Sequence, residues 1–193
     1  TPTTCQESLD YQGGKAQPRD SLHTVDTLLT AGPCLLIDAD NKSVGWAPDH
    51  QAARAAVVGG RATTWAASPR QGVSAIDLDM PEGLAWLVAD HLSAWCRARD
   101  LWHLVRESGR AGHLHLWALT EQHSDDLDTL ADQIRAELHL TSSQLDVRSA
   151  GLMRPPSAPH RSGKSALADR LTPEHQADLL TRLKDFQTAT KDP

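Results

Sequence analysis

Aromatic residues other than tryptophan are almost missing from this 193-residue chain, which has one tyrosine, Tyr11, and one phenylalanine, Phe186. A sheet that binds nucleic acid through rows of exposed aromatics is therefore a poor expectation. Cysteine is scarce too: Cys5, Cys34 and Cys96 stand far apart and never as C-x-x-C. That speaks against a cysteine zinc site or a disulfide framework and for free thiols in a reducing, cytoplasmic setting. No apolar run approaches the roughly 20 residues that span a bilayer, and the start carries no signal-peptide pattern, so no membrane is expected. An initiator methionine is also lacking, as expected of a piece of a longer protein. Finally there is no overall basic excess: 19 Lys and Arg stand against 25 Asp and Glu, for a formal charge of −6. Taken globally, that weighs mildly against a partner rich in phosphate.

Local charge weighs the other way. Between positions 148 and 170 lie Arg148, Arg154, Arg161, Lys164 and Arg170, with His160, against the single acid Asp169. The length suits one domain with appendages. Residues 1–22 are polar and rich in Gly, Pro, Thr and Gln, which predicts a flexible N-terminal arm. Residues 23–170 are expected to form the domain proper, and 171–193 a C-terminal helix or linker opened by Thr172-Pro173-Glu174.

Within the domain, Cys34 to Ile37 reads as a strand into a turn and 50–60 as a small alanine-rich helix. Ser74 to Asp79 reads as a strand. Residues 84–98 place Leu84, Leu87, Val88, His91, Leu92 and Trp95 on one helical stripe. Residues 102–107 and 113–119 form two strands around a turn at Gly109 to Gly112. Ser124 is expected to cap a helix to about Leu138 with Leu127, Leu130, Ile134 and Leu138 buried, and Leu145 to Arg148 is a last strand. The fold expected is thus α+β. Its core is a ferredoxin-like or RRM-like β-α-β-β-α-β unit with an N-terminal α/β extension and a C-terminal helix.

Chemistry concentrates in Ile76-Asp77-Leu78-Asp79. Carboxylates at i and i+2 of a strand share one face, and like charges that close call for a cation. A plainer reading makes them the acidic end of a strand leading into a helix. Twenty-nine positions after Asp79 begins the segment Ser108-Gly109-Arg110-Ala111-Gly112-His113-Leu114-His115. It offers backbone N–H groups, a bidentate cation and imidazoles to a phosphate group, or else is a hairpin turn with a solvated arginine. Asp38-Ala39-Asp40 repeats the D-x-D pattern, but Asp40-Asn41-Lys42 reads as turn chemistry.

With Leu145-Asp146 and the run Gly151-Leu152-Met153-Arg154-Pro155-Pro156-Ser157-Ala158-Pro159-His160, these segments resemble the archaeo-eukaryotic primase superfamily. The likeness is to the bifunctional primase-polymerase domains of phage and plasmid replication proteins, and covers roughly residues 74–164. It implies a template-directed DNA primase/polymerase in a bacterial host. Asp77, Asp79 and Asp146 would be the catalytic, metal-binding carboxylates for two Mg²⁺ or Mn²⁺ ions. The nucleotide triphosphate would contact Ser108, Arg110 and His115, with His113 as competitor, and also Arg154, Ser157, His160 and Lys164. The partners implied are a single-stranded DNA template and primer, (d)NTP substrates, and a helicase domain in the same full-length chain.

His113-Leu114-His115 supports a rival resemblance. Rolling-circle replication nucleases and relaxases bind metal through a histidine–hydrophobic–histidine strand and attack DNA with a tyrosine, which here could only be Tyr11. A third reading is a nucleic-acid-binding module without catalysis, for which one Phe and one Tyr are few.

Overall fold

The structure, a computed structural model, describes residues 25–162 apart from Ala111, together with Thr181. The expected arm 1–22, Tyr11, Lys164, Arg170 and the helix from Pro173 lie outside the described residues.

The fold is α+β, with two antiparallel sheets. After a helical segment at 25–29, the chain forms β1 (Thr30–Ile37), β2 (Ser43–Ala47), helix α1 (His50–Val58) and β3 (Thr64–Pro69). These strands make a three-stranded sheet in the order β2-β1-β3. Strand β4 (Val73–Asp79), helix α2 (Glu82–Ala98), β5 (His103–Glu107), β6 (His113–Leu119), helix α3 (Ser124–Leu138) and β7 (Leu145–Arg148) follow. The second sheet runs β5-β6-β4-β7, so each β-α-β connection skips over one intervening strand.

Alternation on β4 and β6 divides the second sheet into two faces. Ile76, Leu78, Leu114 and Leu116 join Val88, Leu92, Leu127, Ile134 and Leu145 in the core beneath α2 and α3. The opposite face carries Ala75 and Trp117 into a second cluster with Val25, Leu28, Leu29 and Met153. Beyond them, toward Asp79, this face turns polar.

The helical stripe of α2 is rotated from the one its large residues suggest. Ala85, Val88, Ala89, Leu92, Ser93 and Cys96 are buried, whereas His91 is exposed and Leu87 is 62% exposed. Small side chains let the helix lie close on the sheet, and contact with the sheet outweighs the bulk of Leu87. In α3, Leu127 and Ile134 are buried as expected, Ala131 joins them, and Leu138 is exposed. Ser124 is the first helical residue and not a cap. A 3₁₀ turn at Glu121–His123 feeds straight into the helix, and no side-chain cap bond forms.

Strands β2 and β3 had no clear sequence signal, because Ser43-Val44-Gly45-Trp46-Ala47 and Thr64 to Pro69 lack clean alternation. Asp38 and Asp40 belong to the β1–β2 turn. Lys42 N–H donates to Asp38 Oδ1 (2.8 Å) and Asn41 takes φ 64°, which is the turn chemistry expected of them.

Candidate active site

The polar end of the second sheet is built by register. Asp77 pairs with His115 and Asp79 with His113 across β4–β6, Asp77 pairs with Asp146 across β4–β7, and Arg106 pairs with His115 across β5–β6. Directly opposed residues share a face. One row of four strands therefore reads Arg106, His115, Asp77, Asp146.

This row borders a cleft of about 360 Å³ between the two sheets. Among its lining residues are Asp77, Asp79, Ser108, Arg110, His113, His115, Arg154 and His160, eight of the eleven positions expected from sequence. Asp146 lies on the same face but off the cleft lining, and Arg148 lines the cleft in its place. Ser157 is not among the lining residues. Its N–H donates to Asp26 (2.9 Å) and its hydroxyl to the other oxygen of that carboxylate, so it faces the helical segment at 25–29 and not the cleft.

The hairpin between β5 and β6 depends on glycine at two points. Gly112 has φ +77°, and a Cβ there would lie 2.1 Å from the Met80 carbonyl oxygen. Gly109 has φ +95°, and a Cβ there would lie 2.4 Å from Cβ of His160. The first lets β6 start tight against the end of β4. The second lets the proline-rich loop 151–162 close over the turn.

That loop is anchored by a residue the sequence argument passed over. Buried Arg106 donates from Nη1 to the Pro155 carbonyl (3.0 Å) and from Nη2 to the Ala158 carbonyl (3.4 Å). Burial pushes its guanidinium down to about 9, so it stays charged at neutral pH. Burial raises Asp26 to about 7 against the hydrogen bonds from Ser157 and the charge of Arg106. A signal for Arg106 was available, since it lies two positions before Ser108 on an extended segment. Asp26 had none: its partner is 131 positions away.

Electrostatics in the cleft are dense. Arg154 Nη2 donates to the Ser108 carbonyl (2.6 Å), and burial, then the approach of Arg161, lowers it to about 10 against the pull of Asp77. Burial, and then Arg154, Arg106 and Arg148, push His115 well below the usual imidazole range. Its Nε2, 3.5 Å from Asp77 Oδ1, therefore belongs to a neutral ring, and the contact is not an ion pair. His113 Nε2 stands 3.0 Å from Asp79 Oδ1. His160 Nδ1 accepts from the Ser162 N–H (3.2 Å), which leaves Nε2 to carry the ring proton.

The acidic residues supply hard oxygen donors of the type Mg²⁺ and Mn²⁺ take. Burial raises the Asp77 carboxyl, and Asp79 and Asp146 raise it further against Arg148 and Arg154. A cation bound between them would relieve that repulsion. Among the described residues, no three His, Cys, Asp or Glu side chains converge as a ready-made cage. The reason is visible at Asp146, whose Oδ2 is held at 2.7 Å by both Nε and Nη2 of Arg148. Asp77 and Asp79 offer oxygen donors of the type a divalent ion takes, whereas Asp146 is engaged by Arg148.

No protein-family model matches the chain, and no curated protein matches it.

Proposed function

We propose that this chain is the catalytic domain of a template-directed DNA primase-polymerase, a nucleotidyltransferase of phage or plasmid replication. The observation that carries the reading is the register of β4 on β6. It aligns Asp77 and Asp79 with His115 and His113 on one wall of a cleft that also holds Arg110, Arg148, Arg154 and Arg161.

In this reading Asp77 and Asp79, with Asp146 after Arg148 swings away, hold two Mg²⁺ or Mn²⁺ ions. What the ions supply is charge neutralisation at the triphosphate and a lowered pKa at the primer 3′-hydroxyl. Arg110, Arg154 and the backbone N–H groups of Gly109 and Arg110 bind the phosphates of a (d)NTP. His115 and His113, beside Asp77 and Asp79, offer imidazole nitrogens to the acidic side chains or to the triphosphate. Arg148, freed from Asp146, pairs with the leaving pyrophosphate. Positioning and electrostatics supply most of the rate in such a transfer. Single-stranded DNA template, primer and nucleotides are the partners, and a helicase domain in the same full-length chain fits the replicative role.

The second reading, a replication-initiator nuclease or relaxase, draws on one observation: His113 and His115 face the same cleft side by side. One experiment separates the two. Nucleotide incorporation is measured on single-stranded DNA, with and without an annealed primer, in Mg²⁺ and in Mn²⁺. An Asp77→Ala/Asp79→Ala variant and Tyr11→Phe are run beside the parent. Metal-dependent synthesis that is lost with the two aspartates and indifferent to Tyr11 supports the polymerase. Strand cleavage with protein-linked DNA that needs Tyr11, and no synthesis, replaces it with the nuclease.

A further inference from the structure

The three-stranded sheet forms the other wall of the cleft, and its exposed edge carries a tryptophan. Thr64 and Ala66 of β3 and Ile37 of β1 line the cleft. Leu35, two positions before Ile37 on β1, pairs with Ala66 on one side and with Trp46 of β2 on the other. Opposed residues share a face, so Trp46 projects on the cleft side of this sheet. It is 57% exposed. Two strand spacings, about 10 Å, separate it from Ala66, and it is not among the residues that line the cleft itself.

We propose that Trp46 is a stacking platform for a base of a single-stranded nucleic acid whose backbone runs along the arginine-lined cleft. This deepens the primase-polymerase reading and rests on it for the identity of the strand. Charge complementarity names the occupant: Arg110, Arg148, Arg154 and Arg161 outnumber Asp77 and Asp79 among the cleft's charged lining residues. A groove that is positive along its floor and aromatic at its rim is the pairing by which single strands are held without regard to sequence. Position separates a strand from a free nucleotide. Trp46 stands outside the volume a small ligand would fill, so the base it meets belongs to a chain that continues beyond the cleft. A second copy of the protein adding to the edge of β2 is disfavoured, because the β1–β2 register breaks between Leu36 and Ile37 and interrupts the edge that such a strand would extend.

The test is fluorescence anisotropy of the whole chain with a labelled oligo-dT strand, an abasic strand of equal length, and dTTP. Parent, Trp46→Ala and Trp46→Phe are compared, with circular dichroism melts and sedimentation velocity on each. Trp46→Ala is expected to weaken oligo-dT binding about thirtyfold, the middle of the range for losing one base–aromatic stack. Trp46→Phe should retain most of the affinity. The abasic strand and dTTP should bind all three proteins alike.

Unchanged oligo-dT affinity in a folded Trp46→Ala protein overturns the platform. So does an equal loss for the abasic strand, or a parent dimer that Trp46→Ala converts to monomer. Incorporation assays on the same samples keep the two proposals apart. Aspartate-dependent synthesis with Trp46-independent binding removes the platform and leaves the polymerase. Trp46-dependent strand binding without synthesis removes the polymerase and leaves a strand-binding surface. A parent that neither binds the strand nor synthesises DNA removes both.

Discussion

Asp77 on β4 lies directly opposite His115 on β6, and Nε2 of the neutral imidazole stands 3.5 Å from the carboxylate. Burial raises the Asp77 carboxyl, and Asp79 and Asp146 add to this against the pull of Arg148 and Arg154, while the neighbour opposite carries no charge. Proteins keep such arrangements where function needs them, because a folded chain gains nothing from them in stability.

Replacing Asp77 by Asn therefore separates stability from activity. The variant is expected to melt about 2–4 °C higher near pH 8, as burial and like-charge repulsion are relieved. Nucleotide incorporation should fall by about 10²–10³-fold, the range for losing one preorganised electrostatic contact. Differential scanning calorimetry beside a primer-extension assay checks both. A variant that is less stable and still active would count against the site.

Asp26 gives the fold a pH dependence with a definite sign. Its folded carboxyl titrates at about 7 and not at 3.8, so between those values the folded state keeps a proton that the unfolded chain has lost. Stability then falls as pH rises through that window. Raised Asp77 acts in the same direction, whereas His115, buried neutral, adds stability above 6.5 that is lost below it. Asp26→Asn isolates the first contribution, since Asn can still accept from Ser157. Its melting temperature relative to the parent should climb from pH 5 to pH 8. Parallel curves would show that Asp26 is ionised throughout.

Arg106 holds the loop that carries Arg154 and His160. Arg106→Met leaves the Pro155 and Ala158 carbonyls and the Asp26 carboxylate without their cation, and is expected to cost about 3 kcal/mol. Arg106→Lys should rescue little, because one ammonium cannot replace a fork spread over two carbonyls. Urea denaturation measures the first effect, and limited proteolysis near residues 151–162 the release of the loop.

Gly112→Ala places a methyl group against the Met80 carbonyl at a backbone angle that glycine tolerates best. A loss of about 2 kcal/mol or more is expected. Incorporation should suffer beyond the stability loss, because the start of β6 sets the position of His113 opposite Asp79. Gly83→Ala is the control: nothing lies within 4 Å of a Cβ there.

Much of the acidic wall was legible in the chain because strands alternate. Ile76 and Leu78 point to the helices, and Asp77 and Asp79 therefore point away from them; the same parity puts Leu114 inside and His113 and His115 outside. The turn at Ser108 to Gly112 was equally open to reading, since its glycines hold φ angles that favour glycine. Helix α2 was read less well, because its contact face is made of small residues that carry little hydrophobic signal.

Local periodicity thus determined which strand residues share a face, and spacing determined that two acids and two histidines would lie near the turn at Ser108 to Gly112. Tertiary structure alone decided that these meet in register, that Arg148 occupies Asp146, that Ser157 turns away to Asp26, and that Arg106 clamps the loop above them. It also decided that the three-stranded sheet lines the other side of the cleft, with Trp46 two strands from Ala66 on the same face. Apart from Arg148 on Asp146, two positions away, such pairings join residues tens to more than a hundred positions apart. They arise from burial and from polar groups seeking partners in a packed interior, and neither leaves a mark in the order of neighbouring residues.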